Sequence, residues 1–186
     1  MKEKIDRLRK MVNVLQVVEK HPDLYFITLE GNQLVMALGY LKNTLNFKHL
    51  AFMQAVDYLE DNKFMLTYMV YNYELKANLG VNVFIDREES SMFSIHRLWE
   101  HAWQYQRELY EMFGIDFPGS PRVDEPFIME SWEEMPPMRR DFDTLAYSQK
   151  TYFPRPGRET NDPKEQMKKA KYPNYPDSPK IRRDDE

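Results

Sequence analysis

Gln106-Arg107-Glu108-Leu109-Tyr110-Glu111-Met112-Phe113-Gly114-Ile115-Asp116-Phe117 is the stretch on which the reading of this chain turns. Gly114 stands after a helical pattern, where a left-handed residue closes a helix, and Ile115 supplies the apolar contact that follows such a stop. Upstream, Ile95, Leu98, Ala102, Leu109 and Met112 or Phe113 recur at helical spacing, so Ser94 to Phe113 is predicted as a helical region with Ser94 as its N-cap. Trp99, Trp103, Gln106 and Tyr110 add a second line at i, i+4, i+7, i+11. Two stripes on one helix predict burial against more than the chain's own sheet. Phe117-Pro118-Gly119-Ser120-Pro121 is then a turn-rich exit.

Toward the N-terminus, residues 3 to 20 read as an amphipathic helix through Ile5, Leu8, Val12, Leu15 and Val18, stopped at His21-Pro22. Leu24 to Leu29 and Leu34 to Leu38 read as strands joined by a hairpin turn at Glu30-Gly31-Asn32-Gln33. Asn46 to Asn62 reads as a second helix, with Leu50, Met53, Val56 and Leu59 facing a sheet. Phe64 to Tyr73 and Leu79 to Asp86 read as two longer strands, the first central and the second nearer an edge. Residues 1–117 are thus expected to form a small α/β sandwich of a mainly antiparallel sheet with helices.

Beyond Phe117 the composition changes. Eleven of the twelve prolines lie between Pro118 and Pro179, so residues 118–186 are expected to form an extended C-terminal arm and the head to fold without it. Only Pro163 to Lys171 has helical character there. Aromatic and apolar residues recur at intervals, among them Trp132, Phe142, Tyr152, Tyr172 and Tyr175. Anchors of that kind separated by stiff prolines suit a segment that lies along the surface of other proteins.

The chain has 186 residues, a formal net charge of -4 and 42% hydrophobic content. That balance gives no global attraction to nucleic acid or to an anionic membrane. With no cysteine, disulfides, thiolate nucleophiles and cysteine-ligated iron–sulfur or zinc centres are excluded from it. The N-terminal region lacks a signal-peptide apolar core, and no apolar run reaches the ~18–20 residues that span a bilayer. His96 and His101 are five apart, off the i, i+4 edge of a helical metal pair, and Glu88-Glu89 and Glu133-Glu134 read as solvated charge. No glycine-rich phosphate loop occurs. No catalytic residue, metal ligand or cofactor site is therefore expected in this chain. Arg107 and Glu111 have the i, i+4 spacing of an intrahelical ion pair, while Arg139-Arg140-Asp141-Phe142 offers guanidinium groups beside an aromatic anchor.

Ser94-Ile95, Trp99, Ala102, Trp103, the run from Arg107 to Ile115, then Phe117, Gly119 and Pro121 together resemble the signature of one family. A second block, Trp132, Pro137 and Met138-Arg139-Arg140-Asp141-Phe142, resembles that family's downstream string. The family is the C subunit of NADH:quinone oxidoreductase, the thirty-kilodalton-type subunit of respiratory complex I, with its counterparts in energy-converting membrane-bound hydrogenases and related sulfur reductases. Gln106, Ser120 and Arg140 depart from it, standing where the respiratory enzymes usually have Glu, His and Lys.

The resemblance implies a non-catalytic structural subunit in the peripheral arm of a complex-I-related, ion-translocating oxidoreductase. Its implied partners are a large catalytic subunit and a small iron–sulfur subunit. Iron–sulfur clusters, with a nickel–iron centre as an option, are implied in those partners, and contact with the cytoplasmic face of the membrane is implied only through them. Trp103, Arg107, Glu108, Tyr110, Phe113, Gly114, Ile115, Trp132, Arg139, Arg140, Asp141 and Phe142 are the expected partner-binding residues. Ser120 inclines the reading to the hydrogenase or sulfur-reductase branch, with an NADH- or other donor-linked quinone oxidoreductase as the alternative. A free adaptor binding through its proline-rich arm is the alternative from another class.

Overall fold

The computed structural model describes residues 1–152. The elements run α1 (Lys2–Arg9), β1 (Val14–His21), β2 (Leu24–Leu29), α2 (Leu34–Asn43), β3 (His49–Tyr58), β4 (Lys63–Asn72), β5 (Ala77–Asp86), α3 (Ala102–Phe113) and α4 (Thr144–Thr151). The five strands form one sheet in the order β1-β2-β5-β4-β3. Three neighbouring pairs are antiparallel, and β2 with β5 is parallel. The expected α/β class and mainly antiparallel pairing therefore hold.

One face of the sheet is the core face. Alternate residues on β2, β5 and β4, such as Ile27, Val81 and Tyr68, lie side by side in register and are fully buried. Ile5 and Leu8 of α1, Leu34, Leu38 and Leu41 of α2, and Leu109 and Phe113 of α3 join the same buried cluster. Burying each such side chain contributes about 1.5–3 kcal/mol. On the opposite face the Phe26 ring lies so close over Gly80 that there is no room for a Cβ.

Several local readings are corrected. The N-terminal helix ends at Arg9, and Val14 to His21 is a strand, because β-branched Val14, Val17 and Val18 are better placed beside β2 than on a helix. The expected hairpin is absent. Leu34 starts a helix whose buried Leu34, Ala37, Leu38 and Leu41 have helical spacing, and a short 3₁₀ turn at Gly31–Gln33 leads into it.

The predicted second helix is strand β3. A register shift between Leu50 and Phe52 puts an extra residue into the strand, so both Leu50 and Met53 point into the core. A bulge thus gave a strand the three-residue spacing of a helix. Strand β5 lies at the centre of the sheet, not near an edge. β3 is one of the two edge strands, and along its start Trp99 Nε1 donates to Lys48 O at 2.8 Å, Tyr105 Oη to Ala51 O at 2.9 Å, and His101 Nε2 lies 3.0 Å from Leu50 O. Side chains from the α3 region satisfy carbonyls that no strand pairs.

Helix α3 is shorter than predicted. Residues 95–101 pass through a series of tight turns, with Leu98 N–H bonded to Ile95 O and Ala102 N–H to Trp99 O, and regular helix begins at Ala102. Ser94 does not cap it.

By contacts the chain divides into Met1–Phe142 and Asp143–Glu186. The folded head therefore extends beyond the Phe117 boundary read from composition. In the second unit, Asp143 caps α4 by accepting from the N–H groups of Leu145 and Ala146, both at 2.9 Å. The helix expected at Pro163 to Lys171, and the anchors Tyr172 and Tyr175, lie outside the described residues.

Candidate partner-docking surface

The two sequence blocks meet at the C-terminal end of α3. Gly114 closes the helix with φ 73°, its N–H bonded to Tyr110 O. Its lack of a Cβ is needed twice, because one placed there would sit 3.1 Å from both Arg139 Nη2 and Pro136 Cγ. Arg139 turns back to donate from Nε to Phe113 O at 2.7 Å and lies over the Phe64 ring at 5.3 Å. Met138 N–H donates to Met112 O. The downstream block is thus hydrogen-bonded to the carbonyls left free where the helix ends.

A buried ion pair holds the next residues. Asp57, on the core face at the end of β3, has a side chain only 1% exposed. Arg87, just past β5, donates to both its oxygens, at 2.9 and 3.1 Å. The same guanidinium also reaches Asp141, and Arg140 N–H donates to Asp57 Oδ2 at 2.9 Å. The bonds from Asp57, then from Asp141, push the Arg87 pKa up, and the bond from Arg87 holds the Asp141 carboxyl below the usual carboxylate range. Arg140 is also forked onto Glu60 at 2.5 and 2.8 Å. That exposed pair contributes little, although the bond from Arg140 holds Glu60 low.

Arg107 and Glu111 do not pair with each other. Arg107 donates to the carbonyls of Glu125 and Pro126 and lies 5.7 Å from the ring centres of Trp103 and Phe127. Glu111 accepts from the N–H groups of Phe127, Ile128 and Met129 at 3.0, 2.9 and 2.8 Å. Both therefore clasp the segment that follows the helix. Farther along, Trp132 packs against Phe142 with ring centres 5.7 Å apart.

A cavity of about 370 Å³ lies between α3 and this returning segment, lined by Tyr110, Glu111, Gly114, Met129, Trp132 and Pro136 among others. Trp103 and Glu108 are half-buried and Tyr110 is exposed. Phe113 and Ile115 both belong to the buried core of the head. Within this chain both side chains have a packing role. Arg139, Arg140 and Asp141 spend their main polar contacts inside the chain.

Sequence reasoning missed Asp57, Glu60 and Arg87. Once β3 was read as a helix, Asp57 could not be seen as a carboxylate in line with core residues. That alignment is the signal that would have marked it as needing a buried cation.

Gln106 is fully buried, and its Oε1 accepts from the hydroxyls of both Ser94 and Ser120 at 2.8 Å. Gln106 and Ser120, both departures from the family pattern, are therefore direct partners. Among the described residues no group of three or more His, Asp or Glu is placed to hold a metal ion, and no helix is long and apolar enough to cross a membrane.

The family model described as the 30 Kd subunit of respiratory-chain NADH dehydrogenase matches residues 27–148, which contain both blocks and the buried Asp57–Arg87 pair. The chain belongs to this 30 Kd subunit family. Among its relatives, the C subunit of NADH-quinone oxidoreductase from Moorella thermoacetica is 29% identical over 138 residues, covering 74% of this chain and 92% of that one. The C subunit from Citrifermentans bemidjiense is 30% identical over 117 residues, 62% and 72% of the two chains. A C/D-type subunit from Hydrogenobaculum sp. is 30% identical over 131 residues, 70% of this chain but 22% of that longer one. In fold, the 30 Kd-type head is similar to a chain of the membrane-bound sulfane sulfur reductase, an archaeal respiratory membrane complex, with a TM-score of 0.75 at 24% identity over 81% of this chain and 90% of that one. It is also similar to a trypsin-resistant fragment of Nqo5, with a TM-score of 0.55 at 21% identity over 64% and 96%.

Proposed function

We propose that this 30 Kd-type chain is a non-catalytic structural subunit in the peripheral arm of a complex-I-related, ion-translocating oxidoreductase, of the membrane-bound hydrogenase or sulfur-reductase type. The observation that carries the reading is the clasp at the end of α3. Buried Asp57 and Arg87 take up Asp141, and Arg107 and Glu111 take up residues 125–129, so the family's two blocks become one stiff surface. A rigid face needs little ordering when a partner binds.

On that face Trp103, Glu108 and Tyr110, with the cavity beside Trp132, are the direct contacts. Gly114, Arg139, Arg140, Asp141 and Phe142 shape the surface from within. Its partners are a large catalytic subunit and a small iron–sulfur subunit, which hold the iron–sulfur clusters and, in the hydrogenase case, a nickel–iron centre. Those partners hold the chain at the cytoplasmic face of the membrane. In the C/D relative the matched segment is 22% of a longer polypeptide, which supports close association of a C-type chain with another subunit.

Ser120, in place of the usual His, supports this branch, while the fold itself is shared with both the sulfur reductase chain and Nqo5. A second reading, the C subunit of an NADH- or other donor-linked quinone oxidoreductase, is favoured by the names of the curated relatives. The test is affinity purification of the tagged chain in mild detergent. Co-purification of a large redox subunit and an iron–sulfur subunit is expected, with Glu108→Arg and Tyr110→Ala each lowering their recovery. Isolation of the chain alone, or with soluble signalling proteins, would overturn the reading, and a nickel signal in the recovered complex separates the hydrogenase type from the rest.

A further inference from the structure

A second concavity, of about 440 Å³, lies apart from the α3 clasp, between the start of α2, residues 93–98 and the Pro118-Gly119 turn. Its apolar lining includes Val35, Phe93, Leu98 and Pro118. Phe93 is 65% exposed, and Val35 and neighbouring Met36 are 37% and 50% exposed. A phenylalanine that open, at the rim of an apolar depression, marks a surface shaped for contact.

The walls are fixed in place. Met92 N–H donates to Asp116 O, Asp116 N–H to Ser90 O and Ser94 N–H to Pro118 O, which ties the two loops together. Behind them, the Gln106 carboxamide accepts from Ser94 on one wall and from Ser120 beside the other. Lys42 Nζ donates to Leu98 O from α2.

The charge is one-sided. His96 and Arg97 line the depression, and no carboxylate does. Arg97 is exposed and, among the described residues, has no ion-pair partner. We propose that this groove is a second docking site, for a segment of a partner protein that places an apolar side chain beside a carboxylate. The apolar side chain fills the space between Phe93, Val35 and Leu98, and the carboxylate meets the Arg97 guanidinium, which suits bidentate pairing. A concave site with one free arginine fits a protein segment better than a membrane surface, which takes a cluster of about 4–8 basic residues. The proposal rests on the chain being a subunit of a larger assembly and adds a second point of attachment to it.

The test places the photo-crosslinker p-benzoylphenylalanine at Phe93 in the tagged full-length chain, with Tyr110 as a parallel position, and maps the captured peptides by mass spectrometry. Capture at Phe93 of a segment from another subunit, with Asp or Glu within a few residues of the crosslinked apolar side chain, is expected. Arg97→Glu should cut that yield about tenfold, and Arg97→Lys should retain most of it. Both residues are exposed, so an unchanged thermal melt of each variant verifies the fold. Capture at Tyr110 with none at Phe93 overturns this proposal and leaves the proposed function standing; capture at neither overturns both. Capture of a second copy of the chain, or of a segment without a carboxylate, also overturns it. So does Arg97-dependent flotation with phosphatidylglycerol vesicles.

Discussion

The most exacting position in the molecule is Asp57. A carboxylate with 1% side-chain exposure is tolerated because Arg87 meets it with two bonds and Arg140 N–H with a third. Arg87→Ala should leave that charge buried and half-satisfied, lowering stability by about 3–5 kcal/mol in urea unfolding. Arg87→Lys keeps the charge but loses the fork, so an intermediate loss is expected. A midpoint for Arg87→Ala within error of the parent would show that the pair is not structural. Gly114 is the second such position. Gly114→Ala has to hold φ 73° and push against Arg139 and Pro136, and should cost about 1–3 kcal/mol in the same measurement. The downstream block should also become more susceptible to proteolysis.

Among the elements, β3 and the loop after β5 do more than complete a sheet, because their ends supply the groove into which Asp141 and Arg140 settle. This attachment depends on pH. The folded state holds the Asp141 pKa down through Arg87, whereas the unfolded chain titrates it near about 3.9. The unfolded chain therefore takes up the proton first as pH falls. The stability that the contact contributes is complete above the unfolded value and is lost as pH drops through the lower, folded value. Denaturant midpoints measured from pH 6 to pH 3 should decline, and Asp141→Asn should start lower and decline less. Parallel curves for the two proteins would remove Asp141 from the account. The β3 element also shows why a bulge misleads. Leu50 and Met53 face the core three residues apart, and that spacing alone is equally good for a helix.

For the molecule as a body, the compact unit runs to Phe142, and residues 118–142 belong to it through the bonds to α3, Asp57 and Arg87. A chain ending at Phe142 is expected to unfold cooperatively with nearly the parent midpoint. One ending at Phe117 loses Asp141 from the Arg87–Asp57 pair, the N–H groups that Glu111 binds and the donors at the α3 terminus, and should be less stable and expose apolar surface to a dye such as ANS. Equal midpoints for the two truncations would restore Phe117 as the boundary. Composition pointed to Phe117 because proline counts record how poorly a segment forms helix or sheet. They do not record whether its backbone bonds to a neighbouring element.

The order of apolar and polar residues along the chain was enough to place the stop at Gly114, the strand Leu24–Leu29, the strand Lys63–Asn72 to within one residue at each end, and the two family blocks, because each follows from side chains adjacent in sequence. Packing in three dimensions was needed to decide which strand is central, that β1 and β3 are strands, and that Asp57 and Arg87, thirty residues apart, bind each other and Asp141. A local pattern reports only which face of an element is apolar. Partners for a buried charge, and the phase of a bulged strand, come from groups that approach through space.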